Sequence, residues 1–315
     1  MLSLACNGDQ PPEVLRELAR AADHADIGTL WLAAHLFLRD PVTSAAMVLA
    51  NTARLRVGLM AMSPFVMHPV AIAMATATID EWFPGRVTLC IGAGAPRDLA
   101  AIGIDAVGPV AAISETIAIA RSLFLGETVQ WSGERYRAEG RRLATGAHDI
   151  PIMIAASGPR MLERAGAEAD GVLISAGASP AFVAWAVHRA GPDTRKAALV
   201  YAAVTEDDAT RQSVRRALAF VLRGRHHARN LALAGTILDQ AALARAFAKE
   251  DWAAVDALVT DAAIANHSAT GTPAQVRSAL EAYAALGLDE IVLAGVRDAT
   301  DLLQLLPLAE HLRTI

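Results

Sequence analysis

The chain is 315 residues long, 54% apolar and 19% charged, with a formal charge of −5 at pH 7. Such a chain has material for a large core, and its acidic balance excludes a general electrostatic attraction to nucleic acid or to an anionic membrane. Only 5% of residues are aromatic and alanine abounds, which favours helices packed closely on strands over a β-sandwich.

The N-terminus, MLSLACNGDQ, lacks a basic stretch followed by a long apolar one, so no signal peptide is expected and the reading is cytoplasmic. Strand and helix signals then alternate. LSLACN (2–7) reads as a strand and PPEVLRELARAADHA (11–25) as a helix with leucines at helical spacing. TLWLAA (29–34), the helix PVTSAAMVLANTA (41–53), RLRVGLMAM (54–62) and the helix PVAIAMATATIDEW (69–82) follow. Residues 57–79 carry no Asp, Glu, Lys or Arg, yet Pro64 and Pro69 argue for a strand, a turn and a helix rather than a membrane span.

RVTLCIG (86–92) is the fourth strand, and AAISETIAIARSLFLG (111–126) a helix closed by Gly126. The stretch 127–149 alternates like a small hairpin. IPIMIAAS (150–157), PRMLERAGAEA (159–169), GVLISAG (171–177), SPAFVAWAVHRA (179–190) and AALVYAAV (197–204) continue the rhythm. A helical block over about 207–265 interrupts it; within it, Arg223-Gly-Arg225-His226-His227 reads as a solvated helix end or loop. The helix TPAQVRSALEAYAALG (272–287), capped by Thr272, the strand DEIVLAG (289–295) and the helix TDLLQLLPLAEHL (300–312) complete the chain. Eight apolar strands alternating with helices predict an α/β fold, a (β/α)8 TIM barrel with insertions in one domain over 1–315; a doubly wound open sheet is the alternative.

Cys6 and Cys90 lie in apolar runs without C-x-x-C spacing, so reduced buried thiols are expected, a disulfide requiring their strands to be neighbours. In IGAGAPRDLAAIGI (91–104) a strand runs into glycines, but Arg97 stands where a dinucleotide fingerprint needs its third glycine. After a barrel strand, Gly92 and Gly94 would instead let a ligand approach the backbone, or merely make a tight turn. In AASGPRMLERAG (155–166) a helix begins at Pro159 after Ser157 and Gly158; such a start favours an anion, although proline there is also ordinary helix grammar. His35 stands just past the second strand, where a barrel places proton donors and ligands, while the other histidines show no metal-ligand spacing, so no metal is expected. Met60, Met62 and Met67 with Pro64 suit either core filling or the face of a flat heterocycle.

Together LWLAAH, the run from Arg54 to Ile104, ISETIAIARSLFLGE, PIMIAASGPRMLERAGAEADGVLIS and NHSATGTPAQVRSALEAYAALG resemble the bacterial luciferase-like superfamily, and within it the coenzyme F420-dependent, methylenetetrahydromethanopterin reductase-like branch. The resemblance implies a flavin or deazaflavin in the mouth of a (β/α)8 barrel: coenzyme F420, with FMN as the alternative. It also implies a bulge with a non-proline cis peptide at Met60-Ala61, followed by Met62 and Ser63, behind the ring. Gly92, Gly94, Ala95 and Pro96 with Ala156, Ser157, Gly158 and Pro159 would hold the cofactor's side chain and phosphate, and His35 matches a histidine near the reacting carbon. Three positions where relatives keep carboxylates are Ala5 or Cys6, Ala34 and Ala95 here, so a different substrate is expected, with His35, Arg97 and Asp98 the polar groups left nearby. The implied function is hydride transfer between reduced F420 and a small organic substrate. The alternatives are an FMN-dependent monooxygenase and a cofactor-binding barrel without catalysis. A homodimer and a separate cofactor-reducing enzyme are the expected partners, with no nucleic acid and no membrane.

Overall fold

Alternate residues of each strand face opposite ways, and that alternation organises the whole molecule. The computed structural model describes residues 1–310 and Leu312. Its strands are β1 (Leu2–Cys6), β2 (Thr29–Ala33), β3 (Arg56–Met62), β4 (Val87–Ile91), β5 (Val129–Ser132), β6 (Arg137–Arg141), β7 (Ile152–Ala156), β8 (Gly171–Ile174), β9 (Arg195–Val204), β10 (Ala269–Gly271) and β11 (Glu290–Ala294). Helices α1 (Pro12–His24), α2 (Pro41–Ala50), α3 (Pro69–Trp82), α4 (Pro96–Ala101), α5 (Pro109–Phe124), α6 (Pro159–Glu168) and α7 (Pro180–Ala190) connect the first strands. Then come α8 (Asp208–Leu222), α9 (Ala228–Leu233), α10 (Gln240–Ala248), α11 (Trp252–Leu258), α12 (Asp261–His267), α13 (Pro273–Ala284) and α14 (Ala299–Leu305).

Parallel pairing runs β1-β2-β3-β4-β7-β8-β9-β11 and returns to β1. The closure makes the fold a TIM barrel and removes the open-sheet alternative. β5 and β6 form the separate antiparallel hairpin, and β10 adds in parallel beside the end of β9.

Leu2, Leu4, Leu30, Leu32, Val57, Leu59, Leu89, Ile91, Ile152, Ile154, Val172, Ile174, Ile291 and Leu293 face outward and pack under the helices. Each such side chain, fully buried, stabilises the fold by about 1.5–3 kcal/mol. The intervening residues Ala5, Trp31, Cys90, Met153, Leu173, Leu199, Tyr201, Val292 and Ala294 fill the barrel interior. Trp31 plugs its lower part: the indole N–H donates to Glu290 Oε1 at 2.8 Å, and Arg195 pairs with the other oxygen at 2.8 Å. Gly58 makes room for it, since a Cβ there would lie 2.2 Å from the Trp31 ring.

Helix boundaries follow local chemistry. Asp40 caps α2 by accepting from Thr43 N at 2.7 Å, and Thr272 with Gln275 forms a full capping box on α13. Residues 57–79 divide into the end of β3, a turn and α3; among the described residues no helix is long and apolar enough to cross a membrane. Three details differ from the sequence reading. The loop after β4 contains the short helix α4, residues 269–271 pair as β10, and the last helix stops at Leu305, with residue 311 of its expected span outside the described residues. α4 is too short for a periodicity signal, and β10 pairs only at the end of β9, which no local pattern announces.

Candidate functional site

The C-terminal ends of the barrel strands meet in a mouth, and its floor is set by an irregularity in β3. Leu59 pairs with Leu89 and Met62 with Ile91, so Met60 and Ala61 together span the place of one residue on β4. The Met60–Ala61 peptide is cis, at the position the resemblance implied. Both side chains consequently pack with the barrel interior, while Met62 returns to the outer shell. The Met60 carbonyl accepts from Ala34 N at 2.6 Å, tying the bulge to the end of β2.

Gly92 lies directly against this bulge. A Cβ on it would stand 2.9 Å from Ala61 Cβ and 3.4 Å from Ala155 Cβ, so only glycine permits the three strands to close there. Gly94, at φ +86°, turns the chain beside Ser63, whose hydroxyl donates to Ala93 O at 2.8 Å. With Ala5 and Ala294, which also pack with the barrel interior, the result is a floor of methyl groups and backbone.

On the next loop, Ser157 and Gly158 lead into α6. Gly158 is the N-cap without a side-chain cap bond, at φ −96°, which any residue tolerates. An added Cβ there would meet no protein atom within 4 Å. Neither conformation nor packing therefore demands glycine, and what it leaves open is access to the free N–H groups at the start of α6. Those donors, with the exposed Arg160 in the first turn, suit an anionic group. Ala95 and Pro96, at the start of α4, are exposed. The Ala156 side chain, like that of Met62, packs outward under the helices, so only the backbones of these two residues serve the mouth.

The missing carboxylates resolve residue by residue. Ala5 faces the barrel interior, whereas Cys6 packs outward. Burial, with Asp9 adding to it, pushes the Cys6 thiol up to about 12. Both cysteines are free and buried. Ala34 packs toward the outer shell and Ala95 is exposed, so neither position offers an acid or a substitute for one. Among the described residues no group of three or more His, Cys, Asp or Glu is placed to hold a metal ion.

His35 stands two residues past Ala33, which pairs with Met60 of the bulged strand. Its ring lies edge-on to Phe220 of α8, with centroids 6.4 Å apart. Burial lowers the imidazole pKa, against the opposing pull of Asp98 and Asp9, so the ring is neutral at neutral pH. Sequence reasoning missed two residues. Tyr201, at the upper end of β9, faces the interior, and its hydroxyl has no hydrogen-bond partner among the described residues. Burial, then the charge of Asp9, raises its pKa to about 12, so the phenol stays protonated. The strand pattern could have revealed it, as the one polar-tipped residue in an inward position of AALVYAAV. Phe220 belongs to the helical block, and no local signal ties that block to the mouth.

Comparison with known proteins bears on this site. The profile of the luciferase-like monooxygenase family matches residues 3–290. A 5,10-methylenetetrahydromethanopterin reductase from Methanolobus tindarius is 28% identical over 288 residues, 87% of each chain. The structure of a coenzyme F420-dependent tetrahydromethanopterin reductase from Methanopyrus kandleri superposes with a TM-score of 0.84 at 23% identity, covering 97% of this chain and 96% of that one. A monooxygenase from Streptomyces bottropensis superposes with a TM-score of 0.69 at 22% identity, covering 99% and 98%.

Proposed function

The chain belongs to the luciferase-like monooxygenase family, and from that premise we propose that it is an F420-dependent oxidoreductase acting on a small organic substrate. The observation that carries the reading is the floor formed by the bulged Met60–Ala61 pair against Gly92 and Ala155, with His35 just past the end of the neighbouring strand β2, whose Ala33 pairs with Met60. The M. tindarius reductase and the F420-dependent structure from M. kandleri support F420 as the cofactor.

The residues present fit such a group. The floor is apolar and smooth, and the uncapped start of α6 beside an open Gly158 would take a phosphate. Coenzyme F420, when bound, supplies a ring that gives or takes a hydride. Everything else falls to the chain. The floor excludes water from one face of the reacting pair and fixes the substrate on the other. His35, neutral and with no side-chain hydrogen bond among the described residues, takes the proton of a substrate hydroxyl at a ring nitrogen, or returns it in the opposite direction. Tyr201, kept protonated, offers its O–H to the substrate oxygen. With the three family carboxylates absent, proton handling rests on these two side chains.

The family's description and the monooxygenase from S. bottropensis favour a monooxygenase as the second reading, with FMN the cofactor to test. Fluorescence titration of the purified protein with F420 and with FMN separates the two. Micromolar F420 binding, with FMN at least tenfold weaker, is the expected result. FMN binding alone with oxygen consumption replaces the proposal by a monooxygenase, and binding of neither removes it.

A further inference from the structure

Arg223 ends α8 and has a partner set unlike that of a surface arginine. Its guanidinium carbon lies 4.4 Å from the Phe220 ring centroid and 4.1 Å from that of Phe247 on α10. The two rings contact each other at 6.0 Å, and Trp252 closes the row against Phe247 at 5.4 Å. Phe220 is also the ring that meets His35. The cation is thus held on the same phenyl group that borders the candidate proton carrier. An arginine serving only the carbonyls of a helix end would reach into water. This one is half-buried, and among the described residues it has neither an ion pair nor a side-chain hydrogen bond.

The electrostatics agree with the geometry. Burial lowers the Arg223 pKa, the nearby Arg97 lowers it further, and only Asp98 opposes them. Arg97, in the first turn of α4 across the mouth, is likewise without an ion-pair partner among the described residues. Asp98 contacts neither guanidinium. Arg97 thus adds positive charge to the surroundings of Arg223, and neither arginine has an ion-pair partner among the described residues. Aromatic faces hold the plane of Arg223 in place and leave its edge, with its row of N–H donors, free for a planar oxyanion.

We propose that Arg223, fixed between Phe220 and Phe247 and assisted by Arg97, is the specificity-determining residue of the mouth and selects substrates that carry a carboxylate beside an apolar or aryl portion. The inference rests on the proposed oxidoreductase reading for its meaning, but not for its test.

The test is a fluorine NMR titration with fluorobenzoate and its neutral counterpart fluorobenzamide, in wild type, Arg223→Gln, Arg223→Lys and Arg97→Gln, with and without F420. A charge-assisted bidentate bond predicts a preference of roughly 10–100-fold for the carboxylate in wild type. Arg223→Gln abolishes that preference. Arg223→Lys retains part of it, because the charge survives and the stacked fork does not, and Arg97→Gln reduces it by a smaller factor. Equal binding of the two probes, binding of neither, or a preference that survives Arg223→Gln overturns the proposal. So does an Arg223→Gln protein that loses F420 affinity as steeply as fluorobenzoate affinity, since the guanidinium would then serve the cofactor. If F420 fails to bind while the carboxylate preference stands, the oxidoreductase reading falls and this one survives.

Discussion

On the β3–β4–β7 side of the mouth, the surface offered to a ligand is glycine, alanine and main-chain N–H; on the β2–α8 side it is side chain, with His35, Phe220 and Arg223 in one row. The first surface is dictated by packing. Ala61, Gly92 and Ala155 stand so close that one added carbon collides. The second is carried by a helical block outside the barrel repeat, where a side chain can be exchanged without moving a strand. A close-packed backbone cradle suits a group of constant shape, and a changeable rim suits the partner that differs between relatives. On that division the proposed F420 would lie against the first side and the proposed substrate against the second.

The largest effect is expected on the side-chain surface. His35→Ala removes the proposed proton carrier and should lower turnover by ~10²–10⁴-fold, with F420 affinity unchanged within about twofold. A pH profile adds a sign. Because burial lowers the imidazole pKa, the neutral form persists below the ordinary value of 6.5, and the acid limb of kcat/KM in wild type should lie under that pH. A limb that remains in the alanine protein would assign the titration to another group, and an unchanged rate would remove His35 from the chemistry.

Gly158→Asp tests the cradle from the other direction. The backbone at φ −96° and the space around the missing Cβ both accept a side chain, so the folded protein should keep its melting temperature. A carboxylate at the start of α6 would face the anionic part of the cofactor and weaken F420 by ~10–100-fold, as like charges brought together do. Retained affinity, measured by fluorescence titration, would mean that this loop does not hold the phosphate. Tyr201→Phe sharpens the division on a smaller scale. One neutral hydrogen bond to the substrate is worth about 0.5–1.5 kcal/mol, so kcat/KM should fall by roughly 3–10-fold with F420 affinity untouched.

How much of this was legible in the sequence follows the same division. The barrel, its strand order and the approximate bounds of α3, α6, α7 and α13 were readable, because period-two and helical patterns are local. Gly92 and Gly158 were also findable, since they sit at or just past strand ends that patterning identifies, whereas the Met60–Ala61 bulge was implied only by the family resemblance. Arg223 was not. Its run, with two arginines, two histidines and a glycine, has the composition of a solvated helix end, yet Arg223 lies half-buried between two rings. One of those rings is 24 residues further along the chain, on a different helix. Contacts among α8, α10 and β2 are tertiary, and no periodicity encodes them.

The support behind the cradle is expected to respond in stability rather than in turnover. The β5–β6 hairpin leans on the loop after β3, where the Tyr136 hydroxyl donates to Pro64 O at 2.8 Å. Its turn is wrapped round the buried carboxylate of Glu115 on α5, which accepts from the backbone N–H groups of Glu134, Arg135 and Tyr136 and from the Trp131 indole. Gly133 is what allows so close an approach, since a Cβ there would stand 2.1 Å from Glu115 Oε2. Burial alone would raise the Glu115 pKa; the four donors outweigh it and hold the carboxyl below its ordinary value of 4.5. A depressed folded-state pKa contributes stability that is complete above the unfolded value and is lost as the pH falls through the folded one. Glu115→Gln keeps the shape but leaves N–H groups facing an amide, and should cost about 1–3 kcal/mol. Denaturant titrations at several pH values should then find a constant gap between wild type and variant from pH 6 to 8, narrowing only below about pH 4.5. A gap independent of pH down to strongly acid conditions would mean that the hairpin is held by shape rather than by charge. The support of the cradle would then be indifferent to acid.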